Sequence, residues 1–348
     1  MFRVGIIGCG RPWKTEGATG MGMANWHALG YEASPDAEIV ALCDLDLAAA
    51  RAFQARHGGE RLYRDYQEML MKESLDIVSV CTPPNSHAAI VIAVAEAGVK
   101  AIHCEKPMAN TYGDSVRMAR VCEEKGVQLT FNHQRRFGDA FVKAKELLKS
   151  GAIGELTEVE ATCMDLFGWG IHYFDMLFFY NDETPVDWVI GQIDARGGRR
   201  GRGHFSEGQG ISYFKYRNGV HGLLVTGYEA GLGGEYGNRL IGTEGIMEVF
   251  PTEEIPLRIR GKGQSEWEVL HVQEYNFLPE NSKRAVLDLI DALKKGREPE
   301  LSARRALQAT EVMFATYESS RRRGRVDLPL DIGDSPLDAM IESGEIVV

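Results

Sequence analysis

Short apolar runs alternate with capped, helix-like stretches through the first third of the chain. Residues 4–7, 38–43, 76–81, 99–104 and 127–131 are apolar strand candidates. The stretches between them read as helices. One runs from Gly22 towards Leu29 and another from Leu45 to His57; a short one, capped by Asp65, ends at Met71. A further helix, 88–97, is capped by Ser86 and closed by Gly98, and the last runs from Asp114 to a stop at Gly126. Asp, Ser and Gly supply the side-chain oxygen or left-handed backbone that helix ends need. Such alternation predicts a parallel, doubly wound sheet. After Asn132 the texture changes. A helix at 140–149, capped by Asp139, precedes a half-exposed alternating strand at 155–164 and a helix-like run at 171–180. Strand candidates then follow at 186–195, 210–217, 220–228, 238–241, 246–250 and 267–272. Turn signals such as Asn218-Gly219 and Thr243-Glu244-Gly245 separate several of them, predicting a large, mostly antiparallel open sheet. Amphipathic helices at 282–295 and 302–322 close the chain, with Arg321, Arg322 and Arg323 as solvated charges at a helix C-terminus.

The strand C-termini of a doubly wound sheet are where ligands bind. Gly8, Asp44, Thr82 and Lys106 all fall at such ends. Gly8-Cys9-Gly10 follows the first strand directly, and a glycine pair there lets the backbone approach a pyrophosphate. The spacing is irregular, because Trp13 stands where a third glycine belongs and residues 12–21 read as an insertion. Asp44 lies 34 positions beyond Gly10; with Gly22 as the displaced third glycine about 9 of these are extra, leaving about 25, near the roughly 20 expected for a ribose-binding carboxylate. That carboxylate would repel a 2′-phosphate, favouring NAD over NADP. The alternative role for Asp44 is the N-cap of the helix beginning at Leu45. The expected division is an α/β chain with a Rossmann domain at 1–132 and an α/β substrate and oligomerisation domain at 133–348, which includes the closing helices at about 282–322.

Bulk properties narrow the partners. A net charge of -11 argues against nucleic acid or an anionic membrane and permits a neutral polar substrate. The six cysteines include no C-x-x-C pair and sit mostly in apolar runs, so they read as core residues in a reducing compartment, with no metal site. The chain begins directly on its first strand, without a charged leader or apolar signal region, and a cytoplasmic location is expected. The patch Arg196-Gly197-Gly198-Arg199-Arg200-Gly201-Arg202-Gly203 could hold an anionic group, cover a neighbouring subunit, or form an inter-strand loop; the loop is the favoured reading.

These motifs together resemble the Gfo/Idh/MocA oxidoreductase family. The resemblance rests on Gly8-Cys9-Gly10, Asp44, Cys81-Thr82-Pro83-Pro84-Asn85-Ser86-His87, Glu105-Lys106-Pro107, Arg135-Arg136-Phe137, the Gly151/Gly154 pair and Gly170-Ile171-His172-Tyr173-Phe174-Asp175. It implies a bound NAD, NADP being the lesser choice, and a sugar, polyol or derivative as substrate. The cofactor residues it implies are Gly8, Cys9, Gly10, Arg11, Asp44, Thr82, Pro83, Asn85, His87, Glu105 and Lys106. Lys106 becomes the general acid/base, assisted by His172, and Arg136, Trp169 and Asp175 join these two in substrate binding. A homodimer or homotetramer through the C-terminal sheet is also implied. One departure stands out: many relatives carry an aspartate four residues before the histidine, where this chain has Gly168. Asp165 cannot be assumed to replace it. Two other readings stay open: a redox-neutral lyase or glycosidase with tightly held NAD, and a dinucleotide-binding sensor without turnover.

Overall fold

The computed structural model describes the chain except for residues 12, 13, 17, 19, 202, 228–236, 253 and 274–276. Residues 12, 13, 17 and 19 of the insertion at 12–21, the end of the strand expected at 220–228, and Arg202 of the arginine–glycine patch therefore lie outside the described residues. The chain divides into two compact units. The first holds Met1–Asn110, Asp114–Gln134 and a later return segment that ends at Ala306. The second holds Thr111–Gly113, the stretch from Arg135 up to that return segment, and Leu307–Val348.

The first unit runs β1 (Phe2–Ile7), α1 (Ala24–Glu32), β2 (Ala37–Cys43), α2 (Leu47–His57), β3 (Arg61–Tyr63), α3 (Tyr66–Lys72), β4 (Ile77–Val80), α4 (Pro84–Glu96), β5 (Ala101–Cys104), α5 (Tyr112–Lys125) and β6 (Gln128–Phe131). Its six strands order as β3-β2-β1-β4-β5-β6, and every pairing is parallel. Strand order reverses between β1 and β4, so their C-terminal ends form a topological switch point. Several caps differ from expectation. Asp65 does cap α3, accepting from Gln67 N at 2.8 Å. α4, however, starts at Pro84, whose fixed φ and missing N–H suit a first helical position. Ser86 is already inside that helix and returns its hydroxyl to Pro83 O.

The second unit continues with α6 (Asp139–Lys149), β7 (Leu156–Cys163), α7 (Ile171–Tyr180), β8 (Val186–Asp194), β9 (Arg199–Gly201), β10 (His204–Ser206), β11 (Gln209–Tyr216), β12 (His221–Gly227), β13 (Asn238–Gly242), β14 (Gly245–Val249), β15 (Leu257–Gly261) and β16 (Glu268–Val269). Then come α8 (Phe277–Lys295) in the return segment, α9 (Ala303–Arg322), β17 (Val326–Asp327) and α10 (Pro336–Glu342). Nine strands order as β16-β15-β14-β13-β7-β12-β11-β8-β17. The β7–β12 pair is parallel; the pairs on either side of it are antiparallel. α9 packs tightly on this sheet: a Cβ on Gly191 of β8 would lie 2.5 Å from Thr316 Cγ2, and Gly191 N donates to Ser319 Oγ at 2.8 Å.

Three expectations change. The first closing helix, α8, belongs to the N-terminal unit, because its apolar face (Val286, Leu289, Ile290) joins the core formed by Val4, Ile6, Ala28 and Tyr31. α1 lies so close that a Cβ on Gly30 would sit 2.4 Å from Val286 Cβ. The arginine–glycine patch is not an open loop, since Arg199–Gly201 and His204–Ser206 pair as a hairpin. The strand expected at 267–272 shrinks to two residues, and β15, hidden in sequence by its alternating arginines, takes its place; Arg258 stacks on Trp267 at 4.5 Å and donates to Glu248.

Candidate active site

The candidate residues fall into two groups, one in each unit. In the N-terminal unit the first strand ends against its neighbour. Gly8 has φ +87°, and a Cβ there would meet the Cys81 carbonyl carbon and Thr82 Cγ2, both at 2.9 Å. Only glycine fits that backbone and that approach. Cys9 turns its side chain into the core, where burial pushes the thiol up, so only its backbone belongs to the loop. Gly10 N donates to Asp44 Oδ2 at 3.0 Å, and Asp46 N donates to Oδ1 at 2.8 Å. Asp46, with its side chain on Ala48 N, caps α2, which removes the capping alternative for Asp44. Arg11 reaches Asp46 at 3.6 Å.

These residues fit a bound dinucleotide. No side chain caps α1, and its entry is made by Gly22 in the left-handed region. Among the described residues, a Cβ on Gly10 would meet only Gly22 Cα, at 3.6 Å, so the loop is left open for an approaching ligand. A glycine loop leading into an uncapped helix start suits a pyrophosphate, and the Asp44 oxygens keep further lone pairs for ribose hydroxyls.

The loop after β4 is tied to the segment after β5 by His87. Its Nε2 faces Thr82 O at 2.7 Å, and its Nδ1 faces Pro107 O at 3.0 Å and Met108 O at 3.2 Å. Burial lowers the ring's pKa, against the carbonyls that favour its charged form. Fully buried, His87 is a tether between two loops and not a direct cofactor contact, which corrects its expected role. Pro83 and Asn85 are exposed at the start of α4, and Thr82 is half-buried with Oγ1 accepting from Ser86 Oγ at 2.8 Å.

Glu105 is the hub of this group. Its Oε1 accepts from Asn132 Nδ2 at 2.7 Å and pairs with His27 Nε2 at 3.0 Å. Its Oε2 takes the Lys106 N–H at 3.3 Å. Burial alone would raise this carboxyl's pKa, but the His27 and Asn132 contacts outweigh it and hold the pKa below the usual value. Behind it, His27 Nδ1 meets Ser79 Oγ at 3.2 Å, Tyr31 OH meets the same oxygen at 2.8 Å, and the His103 ring lies 4.4 Å from that of His27. This buried polar cluster under Lys106 had no sequence signal, because α1, β4, β5 and the end of β6 each supply one part. Lys106 itself is half-buried, and its bond to Pro107 is cis.

In the C-terminal unit, His172 is the second residue of α7 and is 5% exposed. A wide π-type turn, Leu166–Gly170, precedes it and is capped by Asp165, which accepts from Gly168 N and, at 3.1 Å, from Trp169 N. Asp165 is therefore occupied as a cap. A Cβ on Gly168 would lie 3.1 Å from Asp165 Oδ1, so an aspartate there would press two carboxylates together. Trp169 is 42% exposed. Beneath the turn lies Glu207, missed in the sequence. Leu166 N donates to its Oε1 at 2.5 Å and Tyr317 OH to its Oε2 at 2.7 Å. Burial, then the charge of Asp165, raises its pKa to about 7.

Arg136 and Asp175 are not available to a substrate. Arg136 Nε and Nη2 each donate to the Asp175 carboxylate at 2.8 Å, and Nη1 donates to Glu183 at 2.5 Å, with the guanidinium fully buried. Its neighbour Arg135 is placed differently, stacked over the Tyr173 ring at 4.2 Å.

The described residues contain no group of three or more His, Cys, Asp or Glu suited to a metal. All six cysteines are free, and no described helix is long and apolar enough to cross a membrane. A parallel sheet with a glycine turn at its switch point, joined in one chain to a large mixed sheet, defines a two-unit dinucleotide-binding protein. The family models agree. Residues 2–133 match an oxidoreductase family domain with an NAD-binding Rossmann fold, and residues 145–328 match the same family's C-terminal alpha/beta domain. The chain belongs to the Gfo/Idh/MocA oxidoreductases. It is 27% identical to a D-apiose dehydrogenase of Paraburkholderia graminis, covering 99% of this chain and 94% of that one. It is 24% identical to a myo-inositol 2-dehydrogenase of Thermotoga maritima, covering 95% and 100%. An oxidoreductase from Agrobacterium radiobacter, solved with NAD+, L-tartaric acid and magnesium, shares the fold at TM-score 0.78 and 21% identity, over 94% of this chain and 98% of that one.

Proposed function

We propose that the protein is an NAD-dependent dehydrogenase of a sugar, polyol or derivative, with Lys106 as general acid/base and His172 assisting. When bound, the nicotinamide supplies the hydride acceptor or donor. The chain's own part is to hold the substrate and move the hydroxyl proton. The observation that carries the reading is the fixed stem of Lys106. Its backbone N–H rests on Glu105, which Asn132 and His27 lock from the other side. A lysine so anchored at a strand end presents its ammonium without a search over backbone conformers. Asp44, an acidic residue beside the glycine turn, supports NAD over NADP by repelling a 2′-phosphate.

A panel of sugars, polyols and their acids is incubated with NAD and monitored for reduced nicotinamide and for product. Reduced nicotinamide with at least one member is the expected result. Product without net reduction would replace the dehydrogenase by a redox-neutral enzyme, and neither signal across the panel would reject turnover.

A further inference from the structure

His57 ends α2 and bridges two residues of α1. Its Nδ1 lies 2.7 Å from Glu32 Oε1, and its Nε2 lies 3.1 Å from Asn25 Oδ1. Asn25 and Glu32 are about two turns apart on α1, so they share a face. The contacts on either side fix what each ring nitrogen does. Asn25 Nδ2 sits 2.9 Å from Gly22 O. A carbonyl can only accept, so the amide nitrogen faces Gly22 and the amide oxygen faces His57. Nε2 must therefore carry a hydrogen. Glu32 is 40% exposed at its side chain, and an ionised carboxylate also only accepts. Nδ1 must then carry a hydrogen as well. A neutral imidazole has one N–H, so the two contacts together require the imidazolium. Two further features suit a cation there. The ring is in the last turn of α2, where the helix dipole favours positive charge, and its centroid lies 4.7 Å from that of Phe53.

The bridge leads to the glycine loop. Asn25 is 8% exposed and holds Gly22 O twice, through its backbone N–H at 3.0 Å and through its side chain. Gly22 is in the left-handed region, and its Cα is the atom a Cβ on Gly10 would meet, at 3.6 Å. These two glycines shape the open loop that suits a pyrophosphate. A ring that loses one proton must give up one of its two contacts. Giving up Asn25 frees that side chain and the carbonyl it holds. Among the described residues, Glu32 from α1 is the charged group in contact with the ring. Arg56, its neighbour on α2, is exposed, and Glu60 and Arg61 beyond α2 pair with each other at 3.6 Å. We propose that His57, held as an imidazolium between Glu32 and Asn25, is a positioning residue of the cofactor loop and makes NAD binding proton-linked. The protonated ring keeps Gly22 in place, and the neutral ring releases it. Turnover does not enter, so the dehydrogenase reading can fail without this one.

The test is calorimetric titration of the full chain with NAD between about pH 6 and about pH 9, a range that spans histidine titration. Each point is run in buffers of different ionisation enthalpy, so that protons taken up on binding are counted. The wild type should bind NAD about 2- to 10-fold more weakly at the upper end, the size of one hydrogen bond. It should take up a fraction of a proton per NAD in between, because linkage is reciprocal. H57Q cannot take up that proton, so its affinity should be flat across the range, without uptake. E32Q is the sharper variant and carries the comparison if H57Q does not fold. It sets an amide against Nδ1, which can donate to a neutral ring while the Nε2 hydrogen still holds Asn25. E32Q should therefore keep the low-pH affinity of the wild type across the whole range, again without uptake. A histidine that only packs would give no such rescue. Wild-type affinity equal at both ends with no proton taken up would overturn the proposal. So would a fall and an uptake that persist in H57Q or E32Q.

Discussion

Replacing Asp175 by asparagine separates a structural carboxylate from a substrate-binding one. Asp175 is 1% exposed and accepts two charge-assisted hydrogen bonds, both 2.8 Å, from a guanidinium with no solvent contact. Removing one partner of a buried pair strands the other charge and costs about 3–5 kcal/mol. Here Glu183, which is 15% exposed at its side chain and 2.5 Å from Arg136 Nη1, still compensates part of the charge. The expected loss therefore lies near the lower end, about 3 kcal/mol. In a unit of this size that lowers the melting temperature by roughly 6–12 °C, at about 2–4 °C per kcal/mol. Differential scanning calorimetry on the full chain, with and without NAD, reads the shift. The transition of the C-terminal unit should move and NAD affinity should not. A variant with unchanged melting but lost substrate affinity would refute the reasoning and return Asp175 to the substrate.

Four further outcomes follow from the geometry. Glu207 is protonated in the folded state up to about pH 7, whereas its unfolded counterpart ionises near 4.5. Between those values the folded state binds more protons, so its stabilising contribution is full below 4.5 and is lost as pH rises to about 7. Glu207→Gln should flatten that fall, as measured by urea melts across the range; an unchanged slope would exclude Glu207 as its source. Gly168→Asp should destabilise the turn by about 1–3 kcal/mol, because its Cβ crowds the capping Asp165; a variant as stable as wild type would show that the turn can yield. Gly8→Ala, which combines a positive φ with a 2.9 Å approach, should sharply weaken NAD binding in calorimetric titration, and normal affinity would remove the tight turn from the cofactor site. His27→Leu removes the contact that lowers the Glu105 pKa, so the acid limb of the pH–rate profile should move to higher pH; an unmoved limb would uncouple the buried cluster from Lys106.

Five of the six strands of the parallel sheet were legible as apolar runs; β3 was not, because it is three residues long and opens on an exposed arginine. The second sheet was legible in outline, yet β15 was not, because its arginines alternate with apolar residues and mask the run. α8 was read as a helix but assigned to the wrong unit, since its partner Gly30 lies far earlier in the chain and only folding brings it to Val286. Lys106 stood out in the sequence because it follows a strand directly. His27 and Glu207 did not, because their partners, Glu105 and Tyr317, are 78 and 110 residues away. Arg136 shows the same limit. Sequence marks it as a substrate candidate, and only the positions of Asp175 and Glu183 show that it is already neutralised.

The central claim is that Lys106 moves the proton while the rest of the N-terminal unit holds the dinucleotide. A single-turnover measurement with NAD prebound, comparing wild type with K106M on the best substrate of the panel, tests it most directly. Hydride transfer should slow by about 10²- to 10⁴-fold in K106M, with NAD affinity retained within a few-fold. Transfer at the wild-type rate would contradict the assignment of Lys106.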